Sequence, residues 1–276
     1  MIIVPKVDEN WIPCEGPILD VLRISRILEI QMLSKHIRES FVKCTKLLDN
    51  LLELTPLTNV ILHMPLGLHE LEYAAANTAL RYETYDLFVQ TDIYGRKHGV
   101  VFHVLFHVHD SMQRFVGFGG MELLHTLVKA DFSTRVLLEN STRSITLDKD
   151  KPITLEQLFS QFSDPKLGMC LDICHLQSSE NAYSRTYSLN SDQLQNIRSV
   201  HFSCTLNGDG YKFKSNHGQP HPTLTSVFRD LKYLQNKGVE IDKVWMVLEV
   251  AEEDYVNRPN LISEIQLLQK ADSFRR

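Results

Sequence analysis

The 276-residue chain contains no Cys-x-x-Cys pair, and that speaks against a thiolate zinc knuckle. Its five cysteines, Cys14, Cys44, Cys170, Cys174 and Cys204, are scattered and odd in number. Three of them lie in or beside apolar runs and read as buried free thiols in a reducing compartment. The start, Met1–Val7 (MIIVPKV), is too short for a secretory h-region and shows no cleavage site. No run of about 20 apolar residues, the length a membrane span requires, occurs. Positive charge is not in excess either: 29 Lys and Arg stand against 34 Asp and Glu, a formal net charge of −5. Binding of a polyanion through bulk charge is therefore not indicated, although a local basic groove is compatible with that total. There is no linker, low-complexity tract or abrupt shift in composition. The expectation is one cytoplasmic domain over residues 1–276.

What is present is a repeating pattern. Apolar runs that read as strands are Met1–Val7, Leu28–Leu33, Asn59–His63, Gly99–His103, Arg135–Glu139, Gly168–Asp172, Ser199–Ser203 and Val244–Glu249. Helical periodicity fills the stretches between them, over Ile18–Ile27, Lys35–Leu54, His69–Val89, a glycine-rich entry at Gly117–Gly120 leading on to Ala130, and Thr225–Asn236. Thr154 with Gln157 forms a capping-box pattern, Asn190 with Gln193 suggests another cap, and Pro259 opens a last helix. Asp92–Arg96 (DIYGR) reads as a turn, and 203–222 as a long polar loop. Strands that are unbroken apolar runs are buried on both faces, which is the parallel-sheet signature. Eight strand–helix units in a chain of this length indicate an α/β fold, a (β/α)8 TIM barrel, typically of about 250 residues.

The strand ends carry chemistry. His63, His103, Glu139, Asp172, His201 and Glu249 close six of the runs, and His175 follows three residues after Asp172. The C-terminal ends of barrel strands form the active-site face, so a closed barrel would gather all seven. Three carboxylates crowded into a low-dielectric mouth must be protonated, paired or bound to a cation. With four imidazoles beside them they form an N/O ligand set suited to Zn²⁺ or Mn²⁺. His107, His109 and Asp110 form a further cluster (FHVHD) that reads as solvated loop or as a second layer around the site.

These residues resemble the endonuclease IV-type apurinic/apyrimidinic endonucleases of the xylose isomerase-like TIM barrels. The matching pieces are ILH at Ile61–His63, FH at Phe102–His103, LLEN at Leu137–Asn140, GMCLDICH at Gly168–His175, VH at Val200–His201 and VLE at Val247–Glu249. The resemblance implies two or three zinc ions. His63, His103 and Glu139 would hold one, and Glu139 would bridge to a second held by Asp172, His201 and Glu249. A third would use His175 with His217 or His221, although Ser215 and Gln219 stand where the family has the aspartate of its Asp-x-His pair. The implied activity is DNA repair, with a metal-activated hydroxide cleaving DNA at abasic sites. Lys35, Arg38, Lys212 and Lys214 are candidates for phosphate contacts.

The same superfamily offers an alternative, a sugar isomerase or epimerase. It would hold one Mn²⁺ or similar ion through Glu139, Asp172, His201 and Glu249. Its two glutamates, Glu139 and Glu249, would move protons beside a polarised carbonyl, and the substrate would be a ketose or sugar phosphate. A non-catalytic barrel that keeps metal for stability is the third class.

Overall fold

The computed structural model describes residues 2–65, 70–108, 112–140, 154–172, 194–202, 232, 234–236, 238–249 and 258–273. Eight parallel strands close in sequence order into a barrel. They are β1 (Ile2–Asp8), β2 (Ile27–Gln31), β3 (Asn59–His63), β4 (Val101–Val108), β5 (Arg135–Asn140), β6 (Leu167–Asp172), β7 (Ile197–Phe202) and β8 (Trp245–Leu248). The ring closes where β1 pairs with β8, from Ile2 opposite Trp245 to Pro5 opposite Leu248. Helices pack outside: α1 (Pro17–Ser25), α2 (Ile37–Leu54), α3 (Leu71–Ala76), α4 (Thr78–His98), α5 (Met112–Gly117), α6 (Gly120–Lys129), α7 (Thr154–Gln161) and α8 (Pro259–Ser273). Among the described residues no helix is long and apolar enough to cross a membrane.

The helices obey local rules. In α2, Ile37, Phe41, Cys44, Leu48 and Leu51 recur at three- and four-residue spacing and are buried against the barrel. Asn77 caps α4, its Oδ1 accepting from the backbone N–H of Ala79 and Leu80 at 2.9 and 3.2 Å. Gly99 ends α4 in the left-handed conformation, with φ at 70°. The stretch Asp92–Arg96, expected as a turn, lies inside α4. Its glycine serves packing: a Cβ at Gly95 would sit 2.4 Å from the Val100 carbonyl oxygen. Asp92 then ties the helix to the approach of β5, accepting from the Ser133 N–H and hydroxyl at 2.7 and 2.6 Å.

Alternate residues of a strand face opposite sides, and this builds the barrel in layers. Outward residues such as Val60, Phe102, Leu138 and Val200 join the large core under the helices. Inward, Val4, Ile27, Ile61, Leu105, Leu137, Cys170 and Val247 meet in a separate buried cluster. Buried Ser199, register partner of Cys170, takes the corresponding place on β7. This layer plugs the barrel axis. Two residues further along each strand, the next inward positions hold the ring described below.

The plug sets a first test. Leu137→Ala should cost about 2–5 kcal/mol through lost burial and a residual cavity, read as a lower denaturation midpoint in urea. A loss under about 0.5 kcal/mol, the range of ordinary surface substitutions, would mean the axis is not packed as described.

Candidate metal centre at the barrel mouth

Counting two residues past the plug gives Lys6, Glu29, His63, His107, Glu139, Asp172, His201 and Glu249, one ionisable side chain from each strand. All are buried except Glu249, whose side chain is 20% exposed. Asp172 is held from behind by Asn140. The Asn140 side-chain amide donates to the Asp172 carbonyl at 3.0 Å, and its oxygen accepts from the Asp172 N–H at 2.8 Å.

Glu139 is the hub. Its Oε2 lies 3.3 Å from His107 Nε2 and 3.6 Å from His63 Nε2, while its Oε1 lies 3.3 Å from His201 Nδ1. The same His201 nitrogen is 3.3 Å from Glu249 Oε2. Glu29 stands behind two of the imidazoles, with Oε2 2.9 Å from His201 Nε2 and Oε1 2.9 Å from His63 Nδ1. Lys6 Nζ closes the ring, 2.7 Å from Glu249 Oε1, 3.2 Å from Glu29 Oε1 and 2.6 Å from His63 Nδ1.

Four carboxylates thus face one ammonium, and the protonation states follow. Burial disfavours a charged Lys6, but the Glu249, Glu29 and Glu139 carboxylates outweigh it and raise its pKa. Burial likewise opposes the ionised glutamates. His201 and Lys6 hold Glu29 below the ordinary carboxylate range nonetheless. His107 and His201 do so for Glu139, and Lys6 and His201 for Glu249. His201 is raised well above an ordinary imidazole: burial acts against its charge, and facing Cys170, Glu29 and Glu139 overcome burial. Burial pushes the Cys170 thiol itself up to about 12, so the carboxylates rather than a thiolate carry that effect. A proton on His201 adds positive charge to the ring. A metal ion would displace that proton, because ligation needs the nitrogen lone pair.

The donor set fits a metal. One ligand atom each from Glu139, Asp172, His201 and Glu249, on four adjacent strands, lies within 4.8 Å of the others, and so does one each from His63, His107 and Glu139. The buried His201 Nδ1 faces two carboxylate oxygens yet makes no hydrogen bond in that direction. Imidazole and carboxylate ligands suit Zn²⁺ or Mn²⁺.

Five of the residues singled out in the sequence, His63, Glu139, Asp172, His201 and Glu249, come together here. His103 does not. The apolar run read as ending at His103 continues to Val108, so His103 lies two residues before the plug rather than two after it. Four residues of strand at about 3.3 Å each put it about 13 Å below His107. It bonds Asn59 Oδ1 at 3.0 Å and meets Trp245 edge-on at 4.7 Å, both first residues of their strands. Burial, then the Arg135 and Arg198 guanidiniums, hold its pKa down at about 3. Lys35 and Arg38 are exposed, beside and within the first turn of α2. His175, His217, His221, Lys212 and Lys214 lie outside the described residues. The ring members absent from the sequence reading are Lys6 and Glu29, and His107 was read only as part of a neighbouring cluster. The signal that finds all three is the two-residue step from an inward apolar side chain.

No protein-family model matches the sequence, and no curated protein does. Solved structures share its fold. A D-tagatose 3-epimerase-like protein aligns with a TM-score of 0.59 at 14% identity, over 97% of this chain and 96% of its own. A xylose isomerase domain protein from Planctomyces limnophilus gives 0.57 at 13%, over 98% and 95%. The 3-keto-D-glucoside 4-epimerase from E. coli gives 0.56 at 13%, over 97% and 99%. Such likeness shows the fold alone, the (β/α)8 barrel that these proteins share with this chain. It does not carry the endonuclease IV resemblance of the short motifs, for these neighbours bear epimerase and isomerase names.

The ring predicts a contrast. His103→Ala should lower thermal stability and leave metal content unchanged, whereas His201→Ala should lose bound metal. Elemental analysis after dialysis without chelator checks both. Loss of metal from the His103 variant, with the fold intact, would contradict its placement below the plug.

Proposed function

We propose that the chain is a single-metal isomerase or epimerase acting on a ketose or sugar phosphate. The observation that carries this reading is the convergence of Glu139, Asp172, His201 and Glu249 on one point. The epimerase names of the structural neighbours support it. A divalent cation held there would polarise a sugar carbonyl and acidify the neighbouring C–H. The remaining work falls to the two glutamates, which flank His201 Nδ1 at equal distance. One takes the proton from the carbon beside the carbonyl and becomes a carboxylic acid; the other, protonated from solvent as the substrate binds, gives its proton to the same or the adjacent carbon, and the first then returns its proton to solvent. A base must be unprotonated to begin, and both carboxyls are held well below their ordinary range. Asp172, pinned by Asn140, serves ligation alone.

A second reading, zinc-dependent hydrolysis of DNA at abasic sites, is favoured by one observation. His63, His107 and Glu139 form a further possible ligand group that shares Glu139 with the first.

Both readings meet in one experiment. The metal-loaded protein is offered a panel of ketoses and ketose phosphates in D₂O, and in parallel a duplex oligonucleotide with one abasic analogue. The expected result is interconversion of a sugar with deuterium incorporated beside the carbonyl, and an intact oligonucleotide. Glu139→Gln and Glu249→Gln should each slow turnover by about 10²–10⁴-fold, the usual worth of a positioned acid or base. Oligonucleotide cleavage with no sugar turned over would move the assignment to the hydrolase.

A further inference from the structure

Among the described residues three possible ligand groups share Glu139; the two that draw on different histidines are Glu139 with Asp172, His201 and Glu249, and Glu139 with His63 and His107. They differ in how their histidines are backed. We propose that Lys6 makes this a one-ion site: its ammonium stands in for a second cation and withdraws His63 from ligation. The inference rests on the single-metal reading above and names the residue that enforces it.

The argument is one of donors and acceptors. An ammonium has three hydrogens to give and no lone pair. Lys6 Nζ has three acceptors in reach: His63 Nδ1 at 2.6 Å, Glu249 Oε1 at 2.7 Å and Glu29 Oε1 at 3.2 Å. His63 Nδ1 thus has two neighbours, Lys6 Nζ, which can only donate, and Glu29 Oε1 at 2.9 Å, which as a carboxylate can only accept; the shorter contact, to Lys6 at 2.6 Å, makes the nitrogen an acceptor. With Nδ1 accepting, the proton of neutral His63 sits on Nε2, the nitrogen that faces His107 Nε2 at 3.4 Å and Glu139 Oε2 at 3.6 Å. A nitrogen that carries a proton has no lone pair for a metal. Moving that proton to Nδ1 would aim an N–H at the ammonium. His201 is the reverse case. Its Nε2–H has an acceptor in Glu29 Oε2 at 2.9 Å, so its Nδ1 is the side that takes an ion. Glu29 and Lys6 therefore sort two otherwise similar imidazoles into a ligand and a hydrogen-bond donor. Lys6 acts here as a positioning residue, since its contacts are with the side chains around the ion.

The test counts ions. Protein stripped with chelator and titrated with Zn²⁺ by calorimetry, with elemental analysis of the product, should bind one equivalent per chain in the wild type. Lys6→Met should bind two, and Lys6→Met combined with His107→Ala should return to one. Removing Lys6 leaves Glu29 and Glu249 less compensated. Should that variant fail to fold, the wild type provides the second measurement. In a ¹⁵N-histidine spectrum of the zinc-loaded protein, His63 should be the neutral Nε2–H tautomer. Two equivalents in the wild type, one equivalent in folded Lys6→Met, or His63 as the Nδ1–H tautomer would each overturn the role of Lys6. Of these, the last two leave the single-metal reading standing. A wild type that binds no ion would overturn that reading together with this inference.

Discussion

The structure depends on holding four carboxylates side by side, three of them buried and the fourth largely so. In the low dielectric of a barrel mouth, Glu29, Glu139, Asp172 and Glu249 repel one another strongly unless positive charge is supplied at contact distance. The Lys6 ammonium supplies part of it. More comes from a proton on His201 or from a cation that displaces it. Folding, protonation and metal affinity are thus one coupled problem, and a change at any ring position is felt at the others.

The barrel itself was legible. Asn59–His63, Arg135–Glu139 and Gly168–Asp172 are unbroken apolar runs with a polar exit, and burial on both faces leaves no other stable arrangement for so many of them. The DIYGR stretch misled because a glycine inside a helix and a glycine in a turn look alike without their neighbours. At Gly95 the neighbour is the Val100 carbonyl, which only the folded chain brings close.

The site was legible where a strand has one chemical residue at its end, and misread where it has two. β4 carries His103 and His107, both inward, one on each side of Leu105. Apolarity alone ends the run at the first; alternation around the plug selects the second. Lys6 and Glu29 escaped for a different reason. Lys6 lies in an otherwise apolar run and Glu29 in one whose only other polar residue is Gln31, and neither type is an obvious companion for a metal until the ring is assembled. Their partners, His63 at 57 and 34 residues away and His201 at 172 residues from Glu29, are set by barrel closure, which local sequence does not encode. Short motifs therefore pointed to a multi-zinc enzyme, while the assembled ring gives weight to a single ion.

The two-residue step between plug and ring has a consequence for how such a chain tolerates change. A substitution at a ring position alters one side chain and leaves seven in place. Insertion or deletion of one residue between Leu105 and His107, or between Leu137 and Glu139, reverses the parity of everything beyond it. The ligand would then turn into the helical shell and an apolar neighbour into the mouth. Length variation should accordingly be confined to the connections, while the spacing inside each strand stays fixed even where the residue identities drift.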